Sequence, residues 1–216
     1  MLLKYIYNHL NGLEFIQMRK PHLWNELQAA IQSVDANACL KTSDDKTKKN
    51  ATIYAQTKIN KAIKDFLTPR GWKSFTTGYY VTEDIETART ISTIRDASEQ
   101  KKVITGNGFH ALYTNNQVDF VKERCAIEVQ FGKYFSVAYD LHVKHTFFFL
   151  RNDIDVGIEV IPTHDMQQRM DTGVAWWENE VANIIREGRT NPTVPVIVIG
   201  IEPEKLIDLP KHSPDL

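Results

Sequence analysis

A chain of 216 residues with 42% apolar residues can bury one substantial core, and no break in composition separates a second. A formal net charge of −1 excludes the basic excess of an indiscriminate phosphate binder, so any charge directed at nucleic acid must be local. No apolar run approaches the roughly twenty residues that span a bilayer. The start, Met1-Leu2-Leu3-Lys4-Tyr5, lacks the apolar stretch of a signal peptide, and Cys39 and Cys125 have no zinc-type spacing. A soluble, cytoplasmic, reduced protein with no membrane partner is expected.

In chain order, apolar residues at Leu23, Leu27, Ile31 and Val34 recur at helical spacing beyond Pro21, predicting an amphipathic helix. A second helix carries Ile59, Ile63 and Phe66-Leu67 and stops at the breakers Pro69-Arg70-Gly71. Thr82 to Thr105 reads as one helical stretch with Ile85, Ala88 and Ile91 on a stripe, ended by Gly106-Asn107-Gly108. Val118 to Val121 and Ala126 to Phe131 read as strands, and Val137 to Leu150 as a helix. Ile154 to Ile161 alternates, which predicts a half-exposed strand. A helix opens at Trp176-Trp177-Glu178 and runs through Ile184-Ile185, and the almost continuously apolar Val194 to Ile201 predicts a central strand. The sum is an α/β fold, one domain over 1–216 with a mixed sheet flanked by helices and a frayed tail from about Leu209.

No Walker loop or GxSxG elbow is present, so nucleotide-dependent and serine-hydrolase chemistry have no sequence support. His142 and His145 stand three apart on a predicted helix, a spacing more often surface or packing than metal ligation. The aromatic pairs Tyr79-Tyr80 and Trp176-Trp177 default to packing. Lys41, Lys46, Lys48 and Lys49 read as a solvated loop, whereas Lys122, Arg124 and Lys133 are better placed for phosphate contact.

The chemistry concentrates between Asp119 and Phe131. Strand alternation puts Glu128 and Gln130 on one face and Ile127, Val129 and Phe131 on the other. A hairpin bringing Asp119 alongside would converge two carboxylates and the Val129 carbonyl as hard oxygen ligands for a magnesium-type ion. On pattern alone, an edge strand with a solvated polar face remains equally open.

Asp119 with Glu128-Val129-Gln130 resembles the variant PD-(D/E)XK site of type II restriction endonucleases of the BglII/BamHI group, in which glutamine replaces the usual lysine. The wider resemblance runs from Asn8-His9-Leu10-Asn11-Gly12-Leu13-Glu14 through Asp119-Phe120-Val121-Lys122, Phe131-Gly132-Lys133-Tyr134 and Asp155-Val156-Gly157 to Ile199-Gly200-Ile201. It is nearest to those members of the group that cleave RGATCY. The resemblance implies a homodimer acting on palindromic double-stranded DNA, Mg2+ as cofactor, and a methyltransferase of the same specificity as functional partner. It implies Asp119, Glu128 and the Val129 carbonyl as metal ligands, with catalysis by Asp119, Glu128 and Gln130. Gln130, unable to carry charge, would orient the attacking water. Base reading would fall to Lys133 and the loop Asp171-Thr172-Gly173-Val174. Two other expectations stay open: a non-catalytic DNA-binding protein, and a structure-specific repair or recombination nuclease on the same fold.

Overall fold

The computed structural model describes residues 1–210. The expected frayed tail therefore lies outside the described residues except for Leu209 and Pro210, which belong to no helix or strand. The described chain divides into two compact units, Met1–Lys73 with Asp119 onward, and Ser74–Val118.

The first unit opens with strand β1 (Leu2–His9), which no periodicity announced, and turns sharply through Leu10 and Asn11, both at positive φ, into helix α1 (Gly12–Arg19). Helix α2 (Pro21–Ser33) starts on Pro21, whose fixed φ suits a first helical position, and buries Leu23, Leu27 and Ile31. A small antiparallel pair, β2 (Leu40–Thr42) and β3 (Thr52–Tyr54), leads into α3 (Gln56–Leu67), which ends at Pro69 and Gly71 as the breakers require.

The second unit holds β4 (Lys73–Val81), α4 (Ile85–Ser92), α5 (Ala97–Gly106) and the first part of β5 (Leu112–Lys122). The helical stretch expected over Thr82 to Thr105 is two helices. Asp84 and Asp96 each accept a hydrogen bond from a first-turn amide, Thr87 and Glu99, both at 2.8 Å. An aspartate that caps an N-terminus favours starting a new helix over continuing the old one, and Asp96 does so here.

Back in the first unit follow β6 (Cys125–Val129), α6 (Tyr134–Tyr139), a π-helical turn (Asp140–His145) and α7 (Thr146–Leu150). The helix expected over Val137 to Leu150 is thus real but carries a wide turn in its middle. Then come β7 (Val156–Pro162), the single turn α8 (His164–Gln167), α9 (Trp177–Glu187) and β8 (Val196–Glu202). In this unit the strands run β1-β8-β7-β6-β5, with β8-β7-β6 parallel and the outer pairings antiparallel.

Alternation along the strands sorts side chains onto two covered faces. Ile127, Val129, Ile158, Val160, Ile197 and Ile199 join α2 and α3 in the larger core. Val196, Val198 and Ile161 face Val137, Leu141, Val181 and Ile184 in a second. Strand β7 is buried along its whole length, not half-exposed as its alternation suggested. The polar residue that produced the alternation, Glu159, faces a covered side and is itself fully buried, accepting or sharing a proton at 3.0 Å with His145. Such burial is tolerated only with a partner.

Candidate active site

The turn between β5 and β6 is two residues, Glu123 and Arg124, both at positive φ (47° and 64°). This geometry matches the twist of a tight hairpin but suits Asn-Gly far better than Glu-Arg, at about 1–3 kcal/mol per strained residue. Side-chain hydrogen bonds offset the strain. Arg124 donates to Asp155 at 2.7 and 2.9 Å and to the Asn152 side chain at 2.7 Å, while Lys20 donates to the Glu123 carbonyl. Lys122 is held at 2.8 Å by Glu26. Lys122 and Arg124, expected to be available for phosphate, are thus committed to structural ion pairs.

The hairpin pairs Phe120 with Ile127, which sets Asp119 beside Glu128. The Val129 amide donates to Asp119 Oδ2 at 3.2 Å, and the Asp119 amide approaches Glu128 Oε2 at 3.4 Å. The strand carrying Glu128 is interior and Glu128 is only 2% exposed, so neither an edge strand nor a solvated face describes it. Gln130 lies on the same side: its amide donates to Asp140 Oδ2 at 2.9 Å, and its Oε1 accepts from the Gly132 amide at 2.8 Å.

Two residues of the π-helical turn complete the pocket. Lys144 Nζ lies 2.5 Å from Glu128 Oε1 and 2.6 Å from Asp140 Oδ1. Parallel pairing puts Glu159 next to Glu128 in the sheet, and His145 rests on Gly157, where a Cβ would come within 2.7 Å of the imidazole. Only glycine admits the ring there. A row of acids therefore surrounds a single ammonium. Burial, with Asp119 and Asp140 adding repulsion, pushes the Glu128 carboxyl up to about 9, and burial raises Asp140 and Glu159. Lys144 is desolvated as well, but the facing Glu128 and Asp140 outweigh this and hold it charged. Burial drives His145 down to about 3, so it is neutral.

Hard oxygen donors are what a magnesium-type ion needs, and Asp119, Glu128 and the Val129 backbone supply that chemistry. Among the described residues no three His, Cys, Asp or Glu side chains already converge on one point for an ion. Glu128 is instead engaged by Lys144, and one buried oxygen of Glu159 has no hydrogen-bond partner. The donor set fits such an ion in kind, with a lysine among the acids.

The expected base-reading residues also come together. Lys133 forms a bridge with Val174, the Tyr134 amide donates to the Gly173 carbonyl at 3.1 Å, and the Ala175 amide donates to the Gly132 carbonyl at 3.2 Å. Gly173 sits at φ +85°, a conformation that suits glycine. Among the described residues the exposed Lys133 ammonium has no ion-pair partner. The 41–49 segment, expected to be a solvated loop, buttresses this surface. Asp45 accepts from the Thr172 amide at 3.0 Å, Lys41 pairs with Asp171 at 2.8 Å, and Lys48 donates to the Met170 carbonyl at 2.6 Å. Hydrogen bonds from Thr172, then Thr47, hold the Asp45 carboxyl well below the usual range.

The histidines part company: His142 faces Glu187 at 3.2 Å and His145 faces Glu159. Trp177 packs on Gly200 and donates to the Val198 carbonyl at 2.9 Å, a packing role.

The sequence of residues 5–201 matches the family model of the restriction endonucleases BglII/BglIII. The chain belongs to that family. Membership makes it a restriction endonuclease, a site-specific DNA nuclease. Among solved structures, BglII complexed with a DNA 16-mer is similar at 20% identity and a TM-score of 0.63, covering 91% of this chain and 74% of that one. Free BglII is similar at 17% identity and a TM-score of 0.57, covering 95% and 82%. These likenesses concern the fold. No curated protein matches. No described helix is long and apolar enough to cross a membrane. Within this BglII/BglIII-family chain, the residues that sequence reasoning missed are Asp140, Lys144, His145 and Glu159, together with Asp45 and Lys48.

Proposed function

We propose that the chain is a homodimeric, magnesium-dependent type II endonuclease of the PD-(D/E)XK kind in its glutamine variant, a single catalytic domain working in the cytoplasm. The proposed target is double-stranded RGATCY, cut before G to leave a four-base GATC 5′ overhang, as the resemblance to the RGATCY-cleaving members of the group suggests. A methyltransferase of the same specificity would protect host DNA. The observation that carries the reading is the juxtaposition of Asp119 and Glu128 across the strained hairpin, with Gln130 on the same face.

Asp119, Glu128 and the Val129 carbonyl would hold the ion. When bound, it acidifies water and draws charge from the scissile phosphate. The chain's own residues do the rest. Gln130, fixed between Asp140 and the Gly132 amide, presents a neutral amide that can orient water but not take its proton. In-line attack by water would form the new P–O bond as the bond to the 3′ oxygen breaks, the water's proton passing to solvent and the 3′ oxygen taking one from solvent, which leaves a 5′ phosphate without a covalent enzyme intermediate. One site per subunit accounts for both strands of a palindrome.

Base reading rests on Lys133 and Asp171-Thr172-Gly173-Val174. Lysine offers donors only and can satisfy N7 of either purine, which agrees with a degenerate outer base pair. The similar BglII structure complexed with a DNA 16-mer supports DNA as the ligand. A long linear DNA of known sequence incubated with the protein and magnesium should give discrete bands, and sequencing the ends of cleaved genomic DNA should read 5′-GATC preceded by a purine in the intact site. A smear, or cutting confined to junctions, would reject this reading.

A further inference from the structure

We propose that Lys144 is a built-in stand-in for the divalent cation: in the metal-free protein its ammonium joins Glu128 to Asp140, and the entering ion displaces it from Glu128 while Asp140 retains it. The inference rests on the metal-dependent nuclease reading above.

Four observations support it. The ammonium sits on Glu128, one of the two carboxylates needed for the ion, at 2.5 Å. Asp140 offers the lysine a place to stay, since its other oxygen is already occupied by Gln130, which fixes the carboxylate's orientation. Asp119, Glu128, Asp140 and Glu159 lie side by side around the site, and among the described residues Lys144 is the cation within ion-pair distance of Glu128 and Asp140, so the acids outnumber their counter-ion. Finally, the lysine stands on a π-helical turn, and its side chain is 15% exposed, so a four-carbon stem can swing without entering the core. The motif lacks a lysine after Glu128, yet the pocket has one, delivered from a different element. Its effect is to keep a buried acid cluster foldable without metal, at the expense of metal affinity.

The test is manganese(II) binding to DNA-free protein, followed by electron paramagnetic resonance. Lys144→Met should bind the ion about tenfold or more tighter than the wild type, because no ammonium competes. Its melting temperature should lie below wild type in EDTA and rise further than wild type on adding manganese. Lys144→Arg, which restores the cation, should return affinity towards wild type. A Lys144→Met protein that binds manganese no tighter overturns the proposal. Should that variant not fold, lysine acylation of the wild type read by mass spectrometry gives the answer: labelling at Lys144 should rise on adding manganese, and be high without metal in Glu128→Gln. Labelling that ignores metal overturns the proposal equally. Cleavage by the wild type in magnesium, measured in parallel, separates the two levels. A wild type that cuts while Lys144→Met binds no tighter removes only the stand-in; a wild type that neither binds nor cuts removes the nuclease reading with it.

Discussion

The acid pocket and the surface around Lys133 are built by opposite means. In the pocket the charges are buried or half-buried, and Glu128, Asp140, Lys144 and Gln130 form one chain of contacts, positioned by a sheet whose register admits no slip. Around Lys133 it is the backbone that is fixed. Main-chain bonds tie 132–134 to 173–175, and the Asp45 loop holds Thr172, while the lysine itself remains exposed. On the proposed roles, the difference would let one small protein keep its chemistry constant and its specificity adjustable. Altering a buried charge disturbs its neighbours, whereas altering an exposed head on a fixed backbone changes only what it reads.

Breaking the pocket should have the largest effect. Asp119→Ala removes one of the proposed ligands, and cleavage in magnesium should fall on the order of a thousandfold or more. Since Asp119 is half-buried and bonded only to nearby backbone, the variant should still fold. Circular dichroism alongside a plasmid-cutting assay checks both halves; near wild-type cutting would remove Asp119 from the chemistry.

Breaking the reading surface should redirect specificity and leave turnover alone. Lys133→Asn replaces a donor-only head with one that can also accept from the adenine amino group, so preference should move towards AGATCT by about 1–3 kcal/mol per contacted base. The central GATC should stay required. Relative rates on AGATCT, GGATCC and AGATCC duplexes decide, and unchanged ratios would take Lys133 out of base reading.

The pocket's rear wall has a pH signature. His145 is depressed to about 3 and Glu159 is raised, so the folded pair holds one proton over a wide range. The unfolded chain holds two below the ordinary glutamate range, one between roughly pH 4.5 and 6.5, and none above. Stability from this pair is therefore level between those values. It falls as pH drops below about 4.5 and as pH rises above about 6.5, by up to about 1.4 kcal/mol per unit in each direction. Chemical denaturation across pH in EDTA, comparing wild type with the His145→Leu/Glu159→Leu double variant, should show that the double variant loses this dependence; identical profiles would refute it.

The smallest effect is expected at the buttress. Asp45→Ala removes the acceptor for the Thr172 amide along with the local bonds from Thr47, and site-specific binding in calcium should weaken by a factor of about five, corresponding to about 1 kcal/mol for the one exposed bond that reaches the 171–174 loop. Binding at wild-type strength would show that the loop needs no support.

What the sequence displayed and what it hid follow the same division between local and distant causes. Apolar periodicity displayed α2, α3 and the buried β8, and the alternation in β6 displayed Glu128 and Gln130 on one side. Asp140, Lys144 and Glu159 stayed hidden because they meet Glu128 only through the parallel pairing of β6 with β7 and a helix crossing that face. His142 and His145 looked like a pair until the π-helical turn sent them to different partners. Asp45 lies 127 residues from Thr172, a distance across which no spacing rule operates. Lys133 and the 171–174 loop were named through family resemblance, not through any periodicity.

The division of labour is tested most directly by one protein in two ions. Glu128→Ala should give a site-specific gel shift in calcium close to that of the wild type, since its larger, looser shell supports binding without the acidification that cleavage needs. In magnesium the same variant should leave the duplex intact. Cutting at near wild-type rate, or equal affinity for scrambled duplexes, would contradict a buried pocket that cuts beneath a surface that reads.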